Sequence, residues 1–374
     1  MAATTNERLK WLDPKTVATV LIAKFLVLLV GAQSYSIVNN LSFDGSNTFL
    51  SIWARWDAAH YVQIAKLGYT AIGEDRFLIV FFPFYPALVY LFSIVFRDPL
   101  VSAFIVTGLA SVALGLVFRE LVRLDHPEKT AQMAVLFLFI FPTSYFLHIP
   151  YTESLFLALT IGSFLAARKK RWLIAGILGA LAGATRINGL ILIPALAFEL
   201  WDEYRTTRKI DKKWLFLMLV PVGFATYLTL NYIVAGDPTM FMIYQREHWF
   251  RYFQFPWQGM IDCYERMFSP QAADAHMIGY QEFLFVVIGF AATVAGWRWL
   301  RGSYRIWMAA NWLLFVSTSF VLSVPRYTLM LFPIFILMAL IARKNWSVQV
   351  FFILWSILFL SLFITQFVRD KWAF

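Results

Sequence analysis

The sequence predicts an all-α, polytopic membrane protein, and three observations carry that reading. The chain has 374 residues, 60% of them hydrophobic, 18% aromatic and 14% charged. A soluble domain carries about 45–50% apolar and about 25% charged residues. Apolar runs near the roughly 20 residues that cross a bilayer recur along the whole length. Short basic clusters separate those runs in the positive-inside arrangement. That arrangement accounts for the formal net charge of +10 without a nucleic-acid partner. No alternating period suggests a β-barrel. No polar stretch is large enough for a separate soluble domain, so one integral membrane domain over residues 1–374 is expected. Residues 39–76 and 236–280 are its two longer external loops.

The first helix is read as about Thr16–Val38. A polar N-terminus precedes it and no small-residue cleavage site follows, so it is retained rather than removed as a signal peptide. Lys10 and Lys15 put the N-terminus inside and the next loop outside. In that loop Asp57–Gly68 (DAAHYVQIAKLG) predicts a short surface helix. Asp57 stands at its start and Gly68 at its end, as capping chemistry prefers. Trp53, Trp56, Tyr61 and Tyr69 suit a membrane interface.

Two apolar segments follow, about Phe77–Phe96 and Pro99–Val122, and lead to the basic loop beginning at Arg119. Two full crossings cannot carry the chain from outside to inside. Phe81–Pro86, with its two prolines, is therefore expected to start a short or re-entrant element. Segments at about Ala131–Pro150 and Glu153–Ala167 reach the next basic cluster, Arg168–Arg171. The block Trp172–Trp201 has basic residues on both flanks, so it reads as a hairpin of two short helices turning at Gly183–Gly189. Trp214–Ala235, Gln281–Trp297, Ile306–Leu322, Tyr327–Ile341 and Val348–Val368 are the remaining crossings, with a tight external turn at Ser323–Thr328. This charge placement brings Asp57, Glu74, Glu153, Arg186, His248 and Arg326 toward one side.

Several of these residues have the chemistry of a site. Asp57 fits a general base that takes a proton from an acceptor hydroxyl; it equally fits an N-cap bonded to its own helix. His60, one turn on, fits an orienting or phosphate-binding group, or a structural histidine. Glu74 and Asp75 are an adjacent acidic pair that would hold a divalent cation or orient a sugar, or simply stand solvated. Arg186 lies near or within the outer half of the bilayer, where an unpaired charge is costly. A guanidinium there suits bidentate capture of a phosphate, against snorkelling to the interface. Arg326 reads the same way. Glu153 is a helix-start acid or an acceptor ligand, and His248 and Arg246 are phosphate-contact candidates in the second external loop. The single cysteine, Cys263, excludes an internal disulfide and a cysteine metal cluster. Neither a GxxxxGK[ST] loop nor a GxGxxG strand–helix unit is present, so an activated substrate arriving through the membrane is the natural fit for a transferase.

The motifs Arg55-Trp-Asp-Ala-Ala-His-Tyr61, Ile64-Ala65, Gly68-Tyr69 and Phe81-Phe-Pro-Phe-Tyr-Pro86 resemble the first lumenal loop and following element of the GPI mannosyltransferase 2 (PIG-V-like) family. Thr185-Arg186-x-Asn188-Gly189 and Ser323-x-Pro-Arg-Tyr327 resemble its later motifs. The resemblance implies a GT-C-type helical bundle and an inverting transfer of mannose from a polyprenyl-phosphate donor to a glycolipid or glycan. It implies Asp57 as the base and places Glu74 at an acidic family position. Asn188 and Tyr327 join the candidate substrate-binding residues through these motifs. Expected partners are the lipid-linked sugar donor, the acceptor and membrane lipids. No cofactor is required, though a divalent cation stays open at Glu74–Asp75. The chain looks shorter than eukaryotic members and ends in Lys371-Trp-Ala-Phe without a retention signal, so a prokaryotic plasma-membrane relative with an outward-facing site is expected. The rivals are a GT-C transferase for another lipid-linked sugar or a protein acceptor, and a lipid or glycan transporter. A transporter would be expected to show a second broken hairpin in a paired repeat, and only Thr185–Gly189 reads as one.

Overall fold

The computed structural model describes residues 12–38, 42–43, 48–268 and 276–374. Lys10 lies outside these residues. The described residues form helices joined by turns; an isolated antiparallel bridge, Phe253 with Thr318, is the β-pairing among them. Among the described residues five helices are long and apolar enough to cross a membrane, or up to seven if two bent pairs each count as one span.

The long helices start where local chemistry directs. Helix α1 (Pro14–Gln33) opens with a proline at its first position and with Asp13 accepting from Thr16 N at 2.8 Å. The surface helix predicted in the first external loop is α2 (Asp57–Leu67). A 3-10 turn, Glu74–Val80, then meets α3 (Phe84–Phe96) at a bend of 111°. With 13 residues, α3 is about 20 Å long, short of the roughly 30 Å hydrocarbon core. The Pro83–Pro86 region thus starts a broken or re-entrant element, as the crossing parity requires. A left-handed Arg97 (φ 58°) turns the chain, and Asp98 caps α4 (Pro99–Arg123) by accepting from Leu100 N and Val101 N.

Two predicted crossings come out differently. Ala131–Pro150 is not one helix: α5 (Glu128–Ile140) stops because Phe141 precedes Pro142 and is held extended (φ −53°, ψ 150°). The rest of that segment is buried turn structure, with Thr143 Oγ1 donating to Pro325 O at 2.8 Å. Helix α6 (Glu153–Arg168) follows as read. The predicted hairpin is present as α7 (Trp172–Gly183), a 3-10 turn at Ile187–Ile191, and α8 (Leu192–Thr207). A 3-10 segment, Lys212–Leu219, leads into α9 (Val220–Ala235). The segment expected as the second external loop carries α10 (Met240–Glu247) and α11 (Pro256–Arg266). Helices α12 (Glu282–Trp299) and α13 (Gly302–Val316) form the next pair. Tyr327–Ile341 is broken rather than continuous: the short α14 (Val324–Tyr327) and a 3-10 turn meet α15 (Pro333–Ala342) at 83°, with Pro333 at the break. Helix α16 (Trp346–Val368) is capped by Asn345 accepting from Ser347 N.

Buried aromatics fill the centre, with Trp307 near Phe156, Phe164 and Phe332. The molecule has two polar ends. One gathers Arg119–Glu128, Arg168–Asp125 and Arg301–Glu199 ion pairs. The other gathers the first external loop, the α7–α8 turn and α14.

Candidate active site

Asp57 begins α2 but does not cap it. The cap is Trp56, held at φ 52°, and no side-chain capping bond is made. The N-cap reading of Asp57 is therefore overturned: its carboxylate is turned to a long-range partner, Arg326, whose Nη1 donates to Oδ2 at 2.7 Å. A non-glycine residue at positive φ is a sparsely populated state that persists only under tertiary support. Here Trp56 packs edge-on against Trp372, with ring centroids 5.3 Å apart.

Glu153 is fully buried at the first turn of α6. Its Oε1 accepts from Arg326 Nε at 2.5 Å and from Arg186 Nη1 at 2.8 Å. Arg186 Nη1 also reaches Thr152 Oγ1 at 2.8 Å. Glu153 thus holds the two guanidiniums, and it does not line the cavity described below. Arg326 lies against the rings of Tyr151 and Phe146, at 4.6 and 4.9 Å from their centroids. Its backbone is fixed from behind, since the Glu282 carboxylate accepts from Ser323 N at 2.6 Å and Val324 N at 2.7 Å. Asp57, Arg326, Glu153 and Arg186 form one chain of charge-assisted bonds from four separate elements. Buried charges persist in such pairing, because an isolated one at this depth is costly.

The α7–α8 turn presents Arg186 and Asn188. Gly189 allows it: a Cβ there would lie 2.4 Å from Gly183 N, so only glycine lets the turn close on the end of α7. Asn188 Nδ2 donates to Asn311 Oδ1 at 2.7 Å, and Asn311 Nδ2 to Trp307 O at 2.8 Å, so the turn is pinned to α13. Phe84 N donates to Ala184 O at 3.1 Å, tying the start of α3 to the same turn.

These groups face a cavity of about 500 Å³. Asp57, His60, Arg186, Asn188, His248, Arg326 and Tyr327 line it. His60 packs against Phe81 and Trp249, and His248 stacks on Phe77 at 4.1 Å. Glu74 and Asp75 are not at the cavity. Glu74 is exposed with Arg76 at 3.9 Å, and Asp75 accepts from Gln63 Nε2 at 2.8 Å. Their carboxylates take separate partners, and no group of three His, Cys, Asp or Glu side chains suited to a metal ion occurs among the described residues.

Sequence reasoning missed Arg251, Trp249 and the C-terminal residues Trp372 and Phe374, all of which line the cavity. Arg251 Nη1 donates to Tyr327 Oη at 3.1 Å and Nη2 to Leu322 O at 3.4 Å. It is the cavity arginine bonded to uncharged groups only. The signal for it was present in Gln245–Arg251, where the histidine and Arg246 drew attention first; Arg246 instead lies over Tyr252. The tail is held by the Arg55–Asp370 pair at 2.9 Å and by Tyr145 donating to Ala373 O. Nothing in its composition marks it as a wall.

Burial alone would raise the Asp57 pKa. The Arg326 charge and hydrogen bond, then His60 and Arg186, outweigh burial and hold it below the usual carboxylate value. Burial pushes the His60 pKa down, Asp57 pulls it back up, and His248 lowers it further, for a net decrease. The net shifts favour the ionised form of Asp57 and the neutral form of His60.

The sequence model of the family described as Mannosyltransferase (PIG-V) matches residues 26–245. The "GPI alpha-1,6-mannosyltransferase 2" of Mus musculus is 32% identical over 163 residues, which cover 41% of this chain and 32% of the mouse protein. That of Rattus norvegicus is 31% identical over 151 residues, 37% of this chain and 30% of the rat protein. The chain thus spans about a third of the length of the curated relatives it matches. The apo crystal structure of the Archaeoglobus fulgidus oligosaccharyltransferase superposes on 95% of this chain and 56% of its own, with TM-score 0.49 and 12% identity.

Proposed function

The chain belongs to the mannosyltransferase (PIG-V) family, and from that premise we propose that it transfers mannose from a polyprenyl-phosphate-mannose donor to a hydroxyl of a glycolipid or glycan, with inversion. The observation that carries this reading is one carboxylate, Asp57, facing the same cavity as three guanidiniums.

Asp57 Oδ2 is held by Arg326, and among the described residues Oδ1 takes no protein hydrogen bond. That oxygen accepts the proton of the acceptor hydroxyl. The acceptor oxygen bonds to the anomeric carbon. The bond from that carbon to the phosphate oxygen breaks, and its electron pair leaves with the phosphate. The positive groups lie where this negative charge develops. Arg251 carries a charge that no carboxylate bonded to it offsets. Arg186 keeps Nε and Nη2, and Arg326 keeps Nη2, without a hydrogen-bond partner among the described residues. These donors bind the donor phosphate while the Glu153 clamp stays closed. His60, His248 and Asn188 bound the sugar side, and the aromatic wall of Trp56, Trp249 and Trp372 excludes water. The cationic side chains do the work a metal would do on a leaving phosphate, so an obligatory metal is not part of the proposal.

Purified protein supplied with radiolabelled polyprenyl-phosphate mannose and a glycolipid acceptor tests the reading. Label covalently joined to acceptor supports it; label that crosses between leaflets with the mannosyl phosphate intact supports a transporter instead.

A further inference from the structure

At the end of the molecule opposite the Asp57 cavity lies a second cleft of about 280 Å³. The end of α12 supplies Arg298 and Trp299, the first turn of α13 supplies Arg305, the α4–α5 turn supplies Asp125 and His126, and Leu121, Leu300 and Ile336 form an apolar floor. The charges within it are unevenly compensated. Asp125 is taken up by Arg168, with two bonds of 2.8 Å, and Arg301 is occupied by Glu199 at 3.1 Å. Arg298 has no hydrogen-bond or ion-pair partner among the described residues. Arg305 spends only Nε, on Leu300 O at 2.6 Å. Lys344 stands over the Trp299 ring at 5.8 Å. The positive-inside tendency explains why basic residues lie at this end. It does not explain why Arg298, which is exposed, and half-buried Arg305, which lies over the Trp297 ring at 5.9 Å, line one cleft with no carboxylate bonded to either and with buried apolar residues beneath them.

We propose that this cleft binds the phosphate headgroup of an anionic membrane lipid. Arg298 and Arg305 meet the phosphate, Trp299 sits at the headgroup level, and the apolar floor receives the start of the acyl chains. The site stands apart from the transferase reading and does not depend on it.

The test uses the full chain, purified in detergent and stripped of lipid. It is offered phosphatidylglycerol, phosphatidylcholine or inorganic phosphate, and native mass spectrometry counts what stays bound. The wild-type protein is expected to retain one phosphatidylglycerol and no phosphatidylcholine, with inorganic phosphate failing to displace the lipid. The R298Q/R305Q variant is expected to lose that lipid by at least tenfold in apparent affinity. The R171Q/R208Q variant, which removes the same charge from exposed positions at the same end, is expected to keep it. Equal retention of phosphatidylcholine would overturn the proposal. So would displacement by inorganic phosphate, which marks a free-anion site, or equal loss in both variants, which marks diffuse surface charge. The wild-type arms decide between headgroups even if a variant fails to fold.

Discussion

Arg326 Nη1 lies 2.7 Å from Asp57 Oδ2, which joins α14 to the start of α2. The same guanidinium donates its Nε to Glu153, so one side chain sets the position of the proposed base and of the buried acid that holds Arg186. From this relationship the site's behaviour on mutation follows.

Glu153→Gln removes the charge that holds two guanidiniums. Breaking a buried pair by removing one partner costs about 3–5 kcal/mol, so the thermal midpoint should fall by several degrees. Because Arg186 and Arg326 lose their shared anchor, the donor KM should rise along with the drop in kcat. Thermal unfolding in detergent, with steady-state kinetics varied in donor, reads both effects. A variant with a wild-type midpoint and wild-type donor KM contradicts the clamp.

Arg186→Lys and Arg326→Lys keep the charge and lose the planar fork. Each should weaken transfer, and the double variant should cost less than the sum, because both bonds end on Glu153 Oε1. A double-mutant cycle on kcat/KM measures this; strict additivity would show that the two arginines act independently.

Arg251→Gln should raise the donor KM with little change in thermal midpoint. Its partners, Tyr327 Oη and Leu322 O, are uncharged and leave no orphaned carboxylate behind. An unchanged donor KM removes Arg251 from the phosphate site.

The ion pair also fixes the sign of a pH dependence. The Asp57 pKa is below its unfolded value, so the pair contributes stability that is complete above about pH 3.9 and is lost as pH falls through the lower folded value. The stability difference between wild type and Asp57→Asn should stay constant from neutrality down to about pH 4 and shrink only below it. A difference that has already vanished near about pH 6 means that Arg326 does not hold the carboxylate in this way.

Much of this arrangement was legible in the sequence. Basic loops placed the polar ends, and the parity of crossings exposed the broken element at Phe81–Pro86. The deep Arg186 stood out because charge at that depth needs a reason. What could not be read was pairing across long separations. Glu153 looked like a helix-start acid, and only the fold brings it to Arg326. Asp57 had the position of an N-cap, and the choice between capping and catalysis turned on Trp56 taking the cap. Glu74 and Asp75 looked like a binding pair because they adjoin in sequence, yet their carboxylates go to different partners. The breaks after Ile140 and before Pro333 follow proline rules, but hydropathy alone runs straight through them.

The most direct measurement is single-turnover mannosyl transfer by the Asp57→Asn protein, with donor binding measured in parallel. A general base contributes roughly 10²–10⁴-fold to the rate of the step it serves. The account predicts a loss of that size in the chemical step while the donor still binds, since Arg186, Arg251 and Arg326 remain. Transfer at near the wild-type rate would contradict it.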